Sequence, residues 1–145
     1  MKKMRSIESK IKRIIVGKVE PDEDLIESIN QMIKNHKIKS GLINCIGALK
    51  KYTIGYFDIN LKEYLRKTFD DYIELVSCMG NISFRDGEPI IHLHIAIGTK
   101  DYSISGGHLL QPSIVSITGE VYIFEIDEKL NRAEDSQLGL FLLDI

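Results

Sequence analysis

Three of the four histidines in this 145-residue chain are spaced so that they could hold one metal ion. His92 and His94 lie two positions apart in the apolar run Ile90-Ile91-His92-Leu93-His94-Ile95-Ala96-Ile97. In a β-strand, residues two apart point to the same face about 7 Å apart, so both imidazoles can reach one ion. His108 follows Ser105-Gly106-Gly107, where two glycines permit a sharp or close-packed backbone that could bring a third imidazole alongside. Neutral imidazole binds zinc, copper, iron or nickel, so the spacing indicates a divalent transition-metal site, with zinc the first choice.

The spacing of these histidines also has structural explanations. A pair of strand histidines could instead hydrogen-bond to the backbone or to acidic residues, or meet symmetry-related copies in an oligomer. The chain lacks the HExxH or cysteine spacing that would make a zinc motif strong. If the three imidazoles do bind a metal, an open coordination position would remain for water or substrate, as in catalytic zinc sites.

Two acidic residues, Glu74 and Glu120, interrupt apolar strand-like runs and are the catalytic candidates. Either could orient a metal ligand or act as a general base. The alternative is that each lies on a solvated sheet face or pairs with a lysine. The remaining histidine, His36, falls at a predicted helix C-terminus, where a cation is favourable, and is interpreted as structural.

Positive charge is concentrated at the start of a chain whose formal net charge is only −2. A nucleic-acid contact there would use Lys2, Lys3, Arg5, Lys10, Lys12 and Arg13. The alternative is a solvated tail and an edge strand, on which the lysines keep the protein soluble by preventing association with other chains. The near-neutral net charge of the whole chain gives no general reason to expect binding to a polyanion such as DNA.

The apolar pattern predicts one helix among strands. A β-branched run from Ile11 to Val19 predicts a first strand, and Asp22 or Asp24 can cap a helix from Leu25 to about His36. Asp86-Gly87 predicts a hairpin, because these residues tolerate positive φ. Asp127 to Gln137 is expected to be a surface loop or a short frayed helix. Further strands are predicted at Gly41 to Ile46, Leu49 to Asp58, Tyr64 to Phe69, Tyr72 to Phe84, Ile90 to Gly98, Ile114 to Ile126 and Leu138 to Leu143.

These elements predict an α+β fold in which one principal helix packs on a mainly antiparallel sheet. The length fits a single domain over residues 1–145. No apolar run is long enough to span a membrane and the first residues lack a secretory signal, so we expect a cytoplasmic protein. The chain has no GxGxxG, GxxxxGK[ST] or GxSxG motif, which disfavours nucleotide-binding and serine-hydrolase functions.

Eight short motifs occur in order between about Ile11 and Ile126. They are Gly47-Ala48-Leu49, Gly55-Tyr56-Phe57-Asp58, Glu74-Leu75-Val76-Ser77, Gly80-Asn81-Ile82-Ser83, Asp86-Gly87, His92-Leu93-His94, Gly106-Gly107-His108-Leu109 and Thr118-Gly119-Glu120-Val121. In this order they resemble the plant and prokaryote conserved (PPC) domain in its stand-alone prokaryotic form. The domain core would lie at about residues 10–127, between a basic segment (1–10) and a C-terminal loop and strand (128–145).

The resemblance implies a homotrimer and, as in some archaeal and bacterial members, a metal at His92, His94 and His108. Plant members carry the domain behind AT-hook motifs in nuclear DNA-binding proteins. This chain has no Arg-Gly-Arg-Pro core, so the element that enters an A·T-rich minor groove is missing.

Three functions follow from the sequence. The first is a homotrimeric DNA-associated or partner-binding regulatory protein that carries a structural or sensory metal and is not an enzyme. The alternative is a metal-dependent hydrolase or lyase that acts on a small molecule. The third is a scaffold whose only role is to form trimers.

Overall fold

The computed structural model describes residues 4–145, which form seven strands and one helix. Most of these residues are in strands, as the α+β interpretation predicted. The elements in chain order are β1 (Ile11–Val19), α1 (Leu25–His36), β2 (Gly41–Asp58), β3 (Glu63–Arg85), β4 (Glu88–Gly98), β5 (Ile104–Ile126), β6 (Asn131–Asp135) and β7 (Leu140–Asp144).

The sheet is antiparallel except at one bridge. Its strands β2, β3, β4 and β5 pair in a closed ring. β2 pairs with β3, β3 with β4, β4 with β5, and β5 with β2 again. β1 extends the sheet along β5, and β7 pairs with β6, which joins β3 through a single parallel bridge between Phe84 and Asn131. The closed set brings β4 and the first part of β5 side by side.

The helix covers the inner face of this sheet. Asp24 is the N-cap, and its carboxylate accepts hydrogen bonds from the backbone N–H groups of Glu27 and Ser113, which fastens the start of α1 to β5. Leu25, Ile29 and Ile33 follow one helical face and are buried in the core. Lys37 ends the helix in the left-handed conformation, with φ of 53°. The predicted helix is therefore confirmed.

Several predicted strands are parts of longer ones. The two runs on either side of Gly47 form the single strand β2, and those on either side of Asp70 form β3. Register shifts at Cys45/Gly47 and Leu49/Lys51 let the pairing of β2 continue through residues that the sequence suggested as breaks. β5 likewise begins at Ile104 and not at Ile114, so the segment before His108 is strand.

The structure of the C-terminal part of the chain differs from one sequence prediction. Asp127 to Gln137 was expected to be a loop or a frayed helix, but it contains strand β6. The segment is polar because β6 is a short strand beside the surface, so it lacks the apolar alternation on which strand prediction depends. The strand predicted at the C-terminus is confirmed as β7, and it pairs with β6 along its length.

The hairpin at Asp86-Gly87 is also confirmed, with φ of 52° and 83° at its two central residues. Cys45 and Cys78 are free thiols buried in the hydrophobic core, where cysteine packs as a small apolar side chain. No helix among residues 4–145 is long and apolar enough to cross a membrane.

Candidate metal centre

Strand β4 separates its apolar side chains from its histidines by simple alternation. Leu93, Ile95 and Ile97 are buried in the core that α1 covers. His92 is half-buried and His94 is exposed on the opposite, outer face of the sheet. The period of two in the sequence therefore placed both imidazoles correctly on one face.

Strand β5 brings the third histidine beside this pair. His108 is the direct cross-strand partner of His94. The approach is close because Gly106 stands where a Cβ would lie 2.0 Å from the backbone oxygen of Ile95. The glycines before His108 thus permit close strand pairing here, one of the two roles that the sequence left open.

The three imidazoles form a compact cluster. The Nε2 atoms of His92 and His94 are 3.1 Å apart, and the ring of His108 lies 5.1 Å and 5.5 Å from theirs. One ligand nitrogen from each residue lies within 4.8 Å of the others. Tetrahedral zinc with bonds near 2.0–2.1 Å requires nitrogens about 3.3 Å apart, so movements of about 1.5 Å would suffice.

The surroundings favour the neutral form that binds metals. Burial lowers the pKa of His108 to about 4, with the charges of the neighbouring histidines adding to this effect. Burial and the adjacent Arg132 guanidinium lower the pKa of His92 as well. Both rings are consequently neutral at pH 7 and can offer a lone pair without first losing a proton.

One further observation fits a metal. The Nδ1 atom of His108 is buried and has no hydrogen-bond partner among residues 4–145. A buried polar atom without a partner is costly, and a bound ion at this nitrogen would remove that cost. With three nitrogen donors and no sulfur donor, the cluster has the ligand set of several catalytic zinc sites.

Sequence reasoning missed the residues that surround the histidines. A cavity of about 250 Å³ opens beside the cluster, and Arg132 of β6 and Tyr64 of β3 line it with part of β7. The ring of Tyr64 packs 4.8 Å from that of His108, and Nη2 of Arg132 lies 3.5 Å from Nδ1 of His92. Nothing local in the sequence marks Arg132, because it reaches the site only through the position of β6 beside β3, where it bonds Ser83 and Asn81.

The two acidic candidates lie elsewhere. Glu74 and Glu120 are both exposed, and together they line a different cavity of about 380 Å³ with Ile46, Val76 and Ile117. Neither lines the cavity beside the histidines. His36 stands at the end of α1, where its backbone oxygen accepts a hydrogen bond from Arg13.

The basic residues near the start of the chain differ in what they contact. Lys2 and Lys3 lie outside the described residues, and Lys10 and Lys12 are exposed. Arg5 forms an exposed ion pair with Asp144. Arg13 forms an ion pair with Glu125, whose side chain is buried.

A family model for the Plants and Prokaryotes Conserved (PCC) domain matches residues 6–127, which is most of the chain. The chain belongs to this family. It is the PPC domain family that the ordered motifs resembled, and the match spans β1 to β5, including all three clustered histidines.

Solved PPC-like structures superpose closely on this chain. A PPC protein from Pyrococcus horikoshii is 32% identical, with a TM-score of 0.89 and coverage of 98% of each chain. A metal-containing protein from Archaeoglobus fulgidus is 30% identical, with a TM-score of 0.89 over 98% of this chain and 100% of that one. A candidate DNA-binding protein from Bacteroides thetaiotaomicron is 33% identical, with a TM-score of 0.87 and coverage of 93% and 94%.

A curated relative is much longer. The bifunctional protein GlmU from Synechococcus sp. (strain JA-3-3Ab) is 23% identical over 127 residues, which cover 86% of this chain and 19% of that protein. The chain therefore spans about a fifth of the length of this relative.

Proposed function

We propose that this PPC protein binds a divalent transition metal, zinc first among them, through His92, His94 and His108, and acts as a homotrimeric DNA-associated or partner-binding regulator. The observation that carries the metal site is the convergence of the three imidazole nitrogens within 4.8 Å. The metal would be structural or sensory in this function. A bound zinc ion would supply a Lewis acid and could acidify a bound water.

The residues of the chain prepare the site for such an ion. Pairing of β4 with β5 fixes the backbone positions of His94 and His108, and packing of Tyr64 restricts the His108 ring. The relative from Archaeoglobus fulgidus is a metal-containing protein, and this supports the assignment.

The homotrimer is supported by the outer face of the sheet. Direct cross-strand pairing forms a row from Val16 through Tyr122, Asn44 and Met79 to His94. Val16 is 62% exposed and Met79 is 49% exposed, and Ile14, Leu42 and Ile46 on the same face are also exposed. Large apolar side chains in one patch favour a protein contact, and a second copy of the chain fits the family resemblance.

Val16→Glu is expected to convert the trimer to monomer, because it places a charge in the apolar patch. The fold should be retained, since Val16 is already exposed. Sedimentation equilibrium measures the assembly. Gln31→Glu, on the exposed side of α1, adds the same charge and should leave the trimer intact. A monomeric wild type would contradict the homotrimer, and a trimeric Val16→Glu protein would contradict this face as its interface.

DNA association would use the exposed lysines at the start of the chain. Arg13 is a poor contact, because its guanidinium pairs with the buried carboxylate of Glu125 and with the His36 carbonyl. Lys10 immediately precedes β1 and Lys12 lies within it, and both are exposed. The candidate DNA-binding relative from Bacteroides thetaiotaomicron supports testing this function.

Replacing Lys10 and Lys12 together by glutamine is expected to weaken binding to a DNA duplex. The slope of log affinity against log salt should fall by about 0.9 for each phosphate that the variant no longer neutralises. Fluorescence anisotropy at several salt concentrations measures both. The control replaces Lys34 and Lys39, two exposed lysines elsewhere on the chain. If the wild type fails to bind duplex at low salt, the DNA function is wrong and partner binding remains as the proposal.

A second candidate function is a metal-dependent hydrolase or lyase that acts on a small molecule. The observation that favours it is the 250 Å³ cavity beside the three histidines, which could admit a substrate to an open coordination position. Glu74 and Glu120 do not line this cavity, so a catalytic acid or base would have to come from other groups, such as the Tyr64 hydroxyl.

A further inference from the structure

Among residues 4–145, the side chain of Arg132 has only neutral hydrogen-bond partners. Its Nε donates to Oγ of Ser83 (2.7 Å), its Nη1 to the backbone oxygen of Phe141 (2.9 Å), and its Nη2 to Oδ1 of Asn81 (2.8 Å). Within residues 4–145 it forms no ion pair. The guanidinium is half-buried and stays protonated at neutral pH, and the described part of the chain offers it no counterion.

The cavity beside Arg132 carries no negative charge either. Its walls are the three histidines, Tyr64, Arg132 and three residues of β7, and none of these is acidic. A divalent metal at the histidines would add two further positive charges a short distance from the guanidinium, since Nη2 is 3.5 Å from Nδ1 of His92. Like charges in a partly buried site are unfavourable unless an anion accompanies them.

The other walls indicate what kind of anion fits. Leu140, Phe141 and Leu142 of β7 present apolar surface on one side of the cavity. The volume of about 250 Å³ is below the roughly 300–1,000 Å³ of most ligand pockets, so a small ligand is required. An anion with a short hydrocarbon part uses these walls better than inorganic phosphate or sulfate does.

We propose that this cavity binds a small organic carboxylate, which the metal ion at the three histidines and the guanidinium of Arg132 recognise together. The proposal rests on the metal-binding function proposed above. The family model ends at residue 127, so Arg132 and β7 lie beyond the part of the chain that it matches. The C-terminal hairpin of β6 and β7 thus provides the residues that select the ligand.

Cobalt-loaded protein allows the metal and the anion to be tested separately. Co²⁺ bound by imidazoles absorbs visible light, and its spectrum changes when a ligand enters the coordination sphere. Propionate is expected to change the spectrum saturably, whereas its neutral analogue propionamide should not. Phosphate and sulfate should bind more weakly than propionate. Equal or tighter binding of phosphate would overturn the assignment to an organic carboxylate.

Arg132→Gln is expected to weaken propionate binding by about tenfold or more, because it removes a charge-assisted contact. The same variant should bind Co²⁺ at least as tightly as the wild type, since a nearby positive charge is removed. If Arg132 had a purely structural role, Arg132→Gln would weaken the binding of both propionate and Co²⁺, and that result would overturn the proposal. Arg132→Lys should bind propionate with intermediate affinity, and Lys34→Gln on α1 should match the wild type.

The outcomes separate the two proposals. If no Co²⁺ spectrum develops in the wild type, the metal-binding function itself fails. If Co²⁺ binds but propionate leaves the spectrum unchanged, or if Arg132→Gln binds propionate as the wild type does, only the carboxylate site fails.

Discussion

Replacing His94 by alanine is expected to lower the affinity of the protein for Zn²⁺ by more than about 100-fold. Loss of a group that merely orients a metal ligand costs about 10–100-fold, and loss of the ligand itself should cost more. His94 is exposed, so its removal leaves no buried void and the fold should persist. His108→Ala should have the same effect on affinity, although it also removes the packing against Tyr64.

Isothermal titration of metal-free protein with Zn²⁺ measures this affinity. His36→Ala is the matched control, because it removes the remaining histidine from the end of α1. The control should bind Zn²⁺ as the wild type does, and circular dichroism should show the same fold for all variants. Wild-type affinity in His94→Ala would mean that the cluster is not the zinc site.

Gly80→Ala is expected to reduce the free energy of unfolding by about 3 kcal/mol. Gly80 pairs with Leu93 on β4, and its neighbours Asn81 and Met79 pair with the two histidines of that strand. A Cβ at position 80 would lie 1.8 Å from the backbone oxygen of His92, so the two strands would have to separate. Backbone atoms cannot swing aside as a flexible side chain can.

Urea denaturation of metal-free protein measures the change, and the midpoint of thermal unfolding should fall by about 10 °C. Gly87→Asn is the control. No atom lies within 4 Å of a Cβ built at Gly87, and asparagine tolerates the positive φ of this turn. A Gly80→Ala protein as stable as the wild type would show that β3 and β4 are not as closely paired as the structure has them.

The sequence was informative about the fold where periodicity is strong. The apolar pattern and the capping aspartates predicted the helix from Leu25 to about His36, and Asp86-Gly87 predicted its hairpin, because these signals depend on local geometry. The closure of β2 to β5 was not predictable in this way. It depends on pairing between strands far apart in the chain and on register shifts such as that at Cys45/Gly47.

The histidines of the candidate site were predictable from local sequence, but the residues around them were not. Alternation along β4 placed His92 and His94 on one face, and the glycines before His108 indicated a close approach. Arg132 was missed because β6 carries no apolar alternation and because its contact with His92 depends on the tertiary position of β6 beside β3. Glu74 and Glu120 were proposed from their apolar sequence context, which does not reveal that they line a separate cavity.

The most direct test of the metal centre is the zinc content of the wild-type protein. Metal-free protein would be dialysed against a small excess of Zn²⁺ at neutral pH, freed of unbound metal and analysed by elemental mass spectrometry. We expect one zinc ion per chain, and none in a variant in which His92, His94 and His108 are all alanine. A wild type without bound zinc, or a triple variant that retains it, would contradict the assignment of these histidines as ligands.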